Sequence, residues 1–436
     1  MASSYEKSIA AMDQQVFGAL TNDERDRRED AKRYLAQTTP YSMQLDSSED
    51  LSKLHDRVIA FHDALARLLI NEPKSQVVAV ASSLGPTNFN IYVSSNANKG
   101  IETMGTHLQA LWTLLRETGG IESPEFAKER LELRRVVYNY SWKKHHKRYE
   151  KYRRGAKLEK FFASNSVQAL PDDQCNILRS LKEVCSVTEQ YKEQKSDDNL
   201  RELAKHLGTL DSLLRSIKIS NEVDNSWNAA LERETASQMP FANGFIRFLE
   251  KLCTTEHAIQ DVLRLLVPSD PLRFILGKDI PQTFEDKWKE ELAKANIKKN
   301  LWEMDGNAYP HCECVVLAYF INNYDILKEK PYGYIGDSKL SCAGCAGFFD
   351  AYNSVANEEK NLPQFYTRGS HSKAYHKWVK PKIDSRHDLE EKIEQKSCGI
   401  ARAKFLACLN RDEVDISTDS SDLSRQSSVE GILLEA

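Results

Sequence analysis

The sequence predicts an α/β domain that carries a large all-helical insertion and a helical N-terminal segment. Three features predict it. Two β-branched runs sit at 76–94, an α-β-α-β alternation occupies 307–369, and helical periodicity fills most of the chain between them.

Residues 1–75 read as the helical N-terminal segment. Leu51, Leu54, Val58, Phe61, Leu65 and Leu68 recur at steps of three and four, which puts them on one face of a helix. The period then changes. Gln76–Ser83 (QVVAVASS) and Phe89–Ser94 (FNIYVS) are β-rich, and the Leu84-Gly-Pro-Thr-Asn between them is turn chemistry. The region 76–100 is therefore a β-hairpin, expected to belong to the same sheet as the strands near the C-terminal end.

From Ile101 to about Asn300 the apolar spacing is helical. Leu108, Leu111, Leu114 and Leu115 form one stripe, and Phe245, Phe248, Leu249, Leu252, Ile259, Val262 and Leu266 form another. Pro171, Pro240, Pro268 and Pro271 fall between such stretches, as helix boundaries should. Residues 101–308 are accordingly the helical insertion. Beyond it, helices at His311–Lys330 and Cys342–Ala356 alternate with strands at Pro331–Ser338 and Pro363–Gly369, and 386–409 reads as a further helix. These make a core at 309–410.

The tail, 411–436, has seven acids against two bases and six serines, with no apolar period, and is expected to be disordered. It carries −5 of a total of −4, so the rest of the chain is near +1. At 41% apolar and 28% charged residues the 436-residue chain has an ordinary soluble balance rather than a polycation's. The N-terminus shows no secretory pattern. The longest relevant apolar run, Cys314–Ile321, is too short for a bilayer. An intracellular location, cytoplasmic or nuclear and away from membranes, is the expectation. G-x-S-x-G, Walker and G-x-G-x-x-G motifs are absent, which leaves serine hydrolase, P-loop and Rossmann readings without support.

Nine cysteines in such a chain do not suggest a disulfide framework. Cys175, Cys185, Cys253, Cys398 and Cys408 are isolated in helical patterns, whereas Cys312, Cys314, Cys342 and Cys345 cluster. The chemistry lies in His311-Cys312-Glu313 and, 28 positions after Glu313, Ser341-Cys342-Ala343-Gly344-Cys345. Cys342 and Cys345 are i and i+3, so they share a helix face. At a helix N-terminus, with Ser341 as cap, both thiolates gain from the dipole. Three protein ligands, His311, Cys342 and Cys345, leave a fourth tetrahedral position for solvent, the arrangement of a catalytic Zn2+ rather than a structural one. Glu313 can then reach a metal-bound water without ligating the metal. The order H-x-E then C-x-x-C is the signature of zinc deaminases of nucleobases, except that Ser341 stands where proline is usual. A structural zinc held by Cys312, Cys314, Cys342 and Cys345 is an alternative that spacing leaves open.

At YPHCECVVLAYF (309–320), PYGYIGDSKLSCAGC (331–345) and FYTRGSHSKAYHKW (365–378) the chain resembles a family of fungal nucleotide or nucleic-acid deaminase-like proteins in the cytidine-deaminase-like superfamily. The resemblance implies the cytidine-deaminase-like sheet with its zinc helices on one face. It also implies His311, Cys342 and Cys345 as zinc ligands and Glu313 as the catalytic acid–base. The implied activity is hydrolytic removal of ammonia from a cytosine- or adenine-type base in a nucleotide or nucleic acid. A catalytically inactive binding protein with a structural zinc is the alternative.

Substrate contacts are less constrained. Asn96 or Asn98, at the end of the second hairpin strand, could meet a ribose or base edge, or simply form a turn. Arg368 and His371 follow a strand end and could bind phosphate or line a polar turn. Tyr140–Lys157 holds eight Lys or Arg with Tyr140, Trp142, Tyr149 and Tyr152 interleaved. Such a pattern suits nucleic acid, through Lys143, Lys144, Lys147, Arg148, Arg153 and Arg154, and equally suits a solvated helix face. Oligomeric state is not legible.

Overall fold

The computed structural model describes residues 27, 29–31, 48–73, 76–84, 89–96, 101–117, 125–153, 162, 171–216, 245–267, 310–327, 330–359, 362–370, 378–384 and 386–400. Four strands form one sheet: β1 (Val78–Leu84), β2 (Phe89–Ser95), β3 (Tyr334–Asp337) and β4 (Tyr366–Thr367), in the spatial order β2-β1-β3-β4. β1 and β2 are the expected hairpin, with Val80 opposite Val93 and Ser82 opposite Ile91. β3 lies antiparallel to β1, pairing Ala79 with Asp337, and β4 lies parallel to β3. Strands far apart in the chain thus share one sheet, and a mixed α/β architecture results.

Alternation along β1 and β2 decides what covers each face. Val78, Val80, Ile91 and Val93 enter the main hydrophobic core together with helix α1 (Ser48–Leu68), whose Val58, Phe61, Leu65 and Leu68 are buried as the stripe predicts. The side chains of Leu51 and Leu54 lie outside the described residues. On the opposite face Tyr92 meets α7 (Cys312–Asn323), its ring edge-on to Phe320 at 4.9 Å. The sheet is therefore sandwiched between helices, which buries both faces of β1.

In chain order, five described helices lie between β2 and α7: α2 (Ile101–Glu117), α3 (Phe126–Arg153), α4 (Asp172–Glu193), α5 (Asp197–Ser216) and α6 (Phe245–Leu263). Pro171 caps α4, while Pro240, Pro268 and Pro271 lie outside the described residues. α6 packs against α1, α3 and α5, so the helical stretch and the sheet share a core. A buried pair ties α3 to α6: Arg134 Nε donates to both Glu256 carboxylate oxygens, at 3.0 and 3.2 Å, and Gln260 Nε2 adds a bond of 2.8 Å.

Helix α7 stops at Asn323 rather than continuing to Lys330. Asn322 and Asn323 are poor helix formers, and the Asn323 side chain turns back to the Tyr319 carbonyl at 2.7 Å. The last two strands are likewise shorter than their β-rich runs. Among the described residues, 347–359, 362–364 and 386–400 make a second compact unit, which takes in most of helix α8 (Ala343–Glu359). Within that second unit a helix over 387–400 is pinned to the end of α8 by the Lys392–Glu359 and Lys396–Glu358 ion pairs. No described helix is long and apolar enough to cross a membrane. The acidic tail lies outside the described residues.

Candidate metal centre

His311 occupies the N-cap of α7. Its backbone carbonyl accepts the Val315 N–H at 3.0 Å, but its side chain makes no capping bond and turns toward the cysteines. The second helix starts one residue later than expected, at Ala343. Cys342, not Ser341, is the cap, and its sulfur accepts the Cys345 N–H at 3.4 Å. Ser341 is drawn into the sheet instead, with its N–H on the Gly369 carbonyl at 3.1 Å and a bridge to Ser370. The correction strengthens the thiolate argument, because a sulfur at the cap faces the helix N–H groups directly.

Nδ1 of His311 lies 3.5 Å from Cys342 Sγ and 3.3 Å from Cys345 Sγ, and the two sulfurs are 3.4 Å apart. Three donors at the corners of so regular a triangle suit one ion at the usual ~2.0–2.3 Å zinc–ligand distances. Among the described residues this is the group whose ligand atoms lie close enough to hold a metal. Cys312 and Cys314 are not part of it. The Cys312 thiol points at Glu313 Oε2, 3.6 Å away, while the Cys314 thiol is hydrogen-bonded to Cys345. Hydrogen bonding from Cys345 and His311 brings the Cys342 thiol down to about 4 against its burial. Burial holds the Cys345 thiol above the ordinary range. A thiolate beside a thiol is a donor set that binds a soft divalent ion by releasing one proton.

Glu313, in the first turn of α7, is buried at 3% exposure, and its charge is felt by His311, Cys314 and Cys345. It is thus a buried carboxylate on the same helical turn as His311, outside the donor triangle.

Behind the triangle runs a network that sequence reasoning missed. Asp337 ends β3 and is buried. Its Oδ2 accepts from Thr367 Oγ1 at 2.5 Å and from Ser341 Oγ at 3.5 Å. Burial and the Glu313 charge push its carboxyl well above the usual range, against those two bonds. Asp63 of α1 accepts the Asp337 N–H at 3.2 Å and the Tyr334 hydroxyl at 3.1 Å. Asp63 lies on the other side of α1 from the Val58–Phe61–Leu65 stripe, where periodicity predicts solvent, so no local signal marks it. Gly336 has a specific role as well. A Cβ there would lie 2.5 Å from the backbone carbon of His62, so α1 reaches the sheet only over a glycine. Gly336→Ala is expected to destabilise the fold by about 3 kcal/mol, read as a lower urea midpoint at unchanged slope. Gly344, between the two cysteines, is covered by Trp378, whose ring would be 2.6 Å from an added Cβ.

The substrate-contact candidates are scattered. Asn96 closes the hairpin, its Oδ1 accepting the Val77 N–H at 2.7 Å. Arg368 Nε lies 4.0 Å from Asp63 Oδ2. Asn98, His371 and Arg154 lie outside the described residues, as does the Arg153 side chain. In the basic stretch, Tyr138, Trp142, His145 and Tyr149 form one buried stripe of α3. Trp142 packs on Tyr191 at 4.8 Å, and the Tyr149 hydroxyl donates to the Cys185 carbonyl at 3.4 Å. Lys143 points outward, and Lys144, Lys147 and Arg148 are partly buried.

Residues 310–382 match the family model described as OTT_1508-like deaminase (OTT_1508_deam). That segment is a deaminase domain of the cytidine-deaminase-like superfamily, and it contains His311, Glu313, Cys342 and Cys345. Comparison with curated proteins and with solved structures returns no match.

Proposed function

We propose that the chain is a zinc-dependent hydrolytic deaminase that releases ammonia from a cytosine- or adenine-type base in a nucleotide or nucleic acid. One observation carries the reading: a His-Cys-Cys donor triangle with a buried glutamate beside it, inside a deaminase domain. Zinc, when held by His311, Cys342 and Cys345, would supply Lewis acidity and a water acidic enough to serve as nucleophile near neutral pH. Glu313 takes one proton from that water and passes it to the ring nitrogen as the C–O bond forms, then carries the remaining hydroxyl proton to the amine as the C–N bond breaks, so that ammonia leaves and a ring carbonyl remains. The start of α8 favours an anionic Cys342, whose sulfur accepts the Cys345 N–H, and binding of the metal would displace the Cys345 proton. An intracellular, reducing compartment suits a site built on two thiols. In this reading 101–308 is an insertion into the deaminase fold. The pairing of the 78–95 hairpin with β3 of the deaminase segment supports that assignment.

Metal analysis of the purified chain is the direct test. About one zinc per chain is expected, falling to near zero in His311→Ala and Cys345→Ser. Ammonia release should then be screened over nucleosides, nucleotides and single strands. A chain that binds no zinc on reconstitution, or ligand variants that keep it, would remove the proposal.

A further inference from the structure

Ser341 immediately precedes Cys342, at the position where the deaminase signature usually has proline. A proline would fix the backbone there through its ring and would offer no N–H. Ser341 uses what proline lacks. Its N–H donates to the Gly369 carbonyl at 3.1 Å, and its own carbonyl accepts from Ser370 Oγ at 3.1 Å. Gly369 and Ser370 lie just beyond the end of β4, and Ser341 and Ser370 form a parallel bridge. Ser341 and Ser370 are 2% and 5% exposed, so water is a poor substitute for either bond. Ser341 Oγ reaches Asp337 Oδ2 only at 3.5 Å, so the bonds of the Ser341 backbone carry the restraint.

The same loop is held at its start. Ser338, directly after β3, exchanges two bonds with Val78 of β1: its N–H donates to the Val78 carbonyl at 3.0 Å, and its Oγ accepts the Val78 N–H at 3.0 Å. The loop 338–341 is thus tied to β1 at one end and to the chain after β4 at the other. The turn that follows is equally fixed. The Ala346 N–H donates to the Cys342 carbonyl at 2.9 Å, the Cys345 N–H to the Cys342 sulfur, and Trp378 lies over Gly344. Cys342 therefore sits between a pinned loop and a formed helical turn. A ligand fixed on both sides needs little ordering when an ion binds, and support of that kind sets metal affinity.

We propose that Ser341 and Ser370 are positioning residues of the metal centre. Their hydrogen bonds lock the peptide before Cys342 onto the end of β4 and hold its sulfur at one corner of the donor triangle, in the role that a proline ring fills by fixing φ. The two devices exclude each other, because proline cannot donate to Gly369. Introducing the usual signature residue at 341 should therefore weaken this site. The inference rests on the reading that His311, Cys342 and Cys345 bind a metal, and not on the reaction that follows.

The test uses the full chain. Zinc affinity is read by competition with a chromophoric chelator, and the sulfur-to-metal absorption of the cobalt(II)-loaded chain reports the thiolates directly. Ser370→Ala should bind zinc about two- to tenfold more weakly, the worth of one hydrogen bond, and Ser370→Thr, which keeps a hydroxyl, should recover most of the loss. Ser341→Pro should bind about ten- to a hundredfold more weakly, with a diminished sulfur-to-cobalt band. Ser341→Ala keeps both backbone bonds and should stay within about threefold of the unaltered chain. The metal-free melting temperatures of Ser370→Ala and Ser341→Ala should agree, which separates positioning of the sulfur from loss of fold. Should Ser341→Pro fail to fold, Ser370→Ala decides alone. Undiminished zinc affinity in Ser370→Ala, or a folded Ser341→Pro that binds as tightly as the unaltered chain, would overturn the positioning role and leave the metal reading standing. No zinc binding by the unaltered chain would remove both. Weakened zinc binding in these variants, without ammonia release by the unaltered chain from any substrate, would support the positioning role and remove the deaminase reading alone.

Discussion

Glu313→Ala is expected to cut ammonia release by about a hundred- to ten-thousand-fold while zinc content stays at the wild-type level. The expectation follows from where the carboxylate sits. It lies on the first turn of α7, buried, and outside the triangle of His311, Cys342 and Cys345, so removing it takes away a proton carrier and not a ligand. Glu313→Gln keeps the volume and hydrogen-bonding capacity but not the basicity, and should be as inactive. Parallel measurement of bound zinc and of released ammonia decides the matter. Loss of zinc in Glu313→Ala would make the residue a ligand or its support. Full activity in either variant would remove Glu313 from the chemistry, whereas no ammonia release from the unaltered, zinc-loaded chain would favour a binding protein whose zinc only holds the fold.

Arg134→Met should destabilise the chain by about 3–5 kcal/mol, because it leaves the Glu256 carboxylate buried and without its guanidinium. The side chains are 7% and 1% exposed, so water does not replace the lost partner. Gln260 and, at longer range, Arg130 would be left to face the charge. Arg134→Met/Glu256→Leu removes both charges together and should recover most of the loss, since the pair's attraction roughly offsets its own desolvation. Chemical denaturation of the single and double variants tests this. A double variant as unstable as Arg134→Met would show that the pair's packing, rather than an uncompensated charge, holds α3 against α6.

The residues of the metal centre were legible because their geometry is local. His311 and Glu313 lie two positions apart at one helix start, and Cys342 and Cys345 lie three apart at another, so spacing alone sets their relative directions. The basic stretch shows the limit of that approach. Lysines and arginines interrupt its aromatic residues, so the stretch could be read as stacking platforms or as a solvated, partly packed helix face. Yet Tyr138, Trp142, His145 and Tyr149 recur at helical steps, and α3 buries that face. His145 in the middle of the stripe disguised its apolar character.

What the sequence determined by itself was the hairpin, the run of helices after it, and the identity and order of the donors. Each depends on periodicities and turn chemistry that act over a few residues. Only the tertiary structure decided that Asp63 braces Asp337 and that Gly336 admits α1 to the sheet. Those relations join residues hundreds of positions apart. They depend on which surfaces pack together, and no local pattern in the chain carries that information.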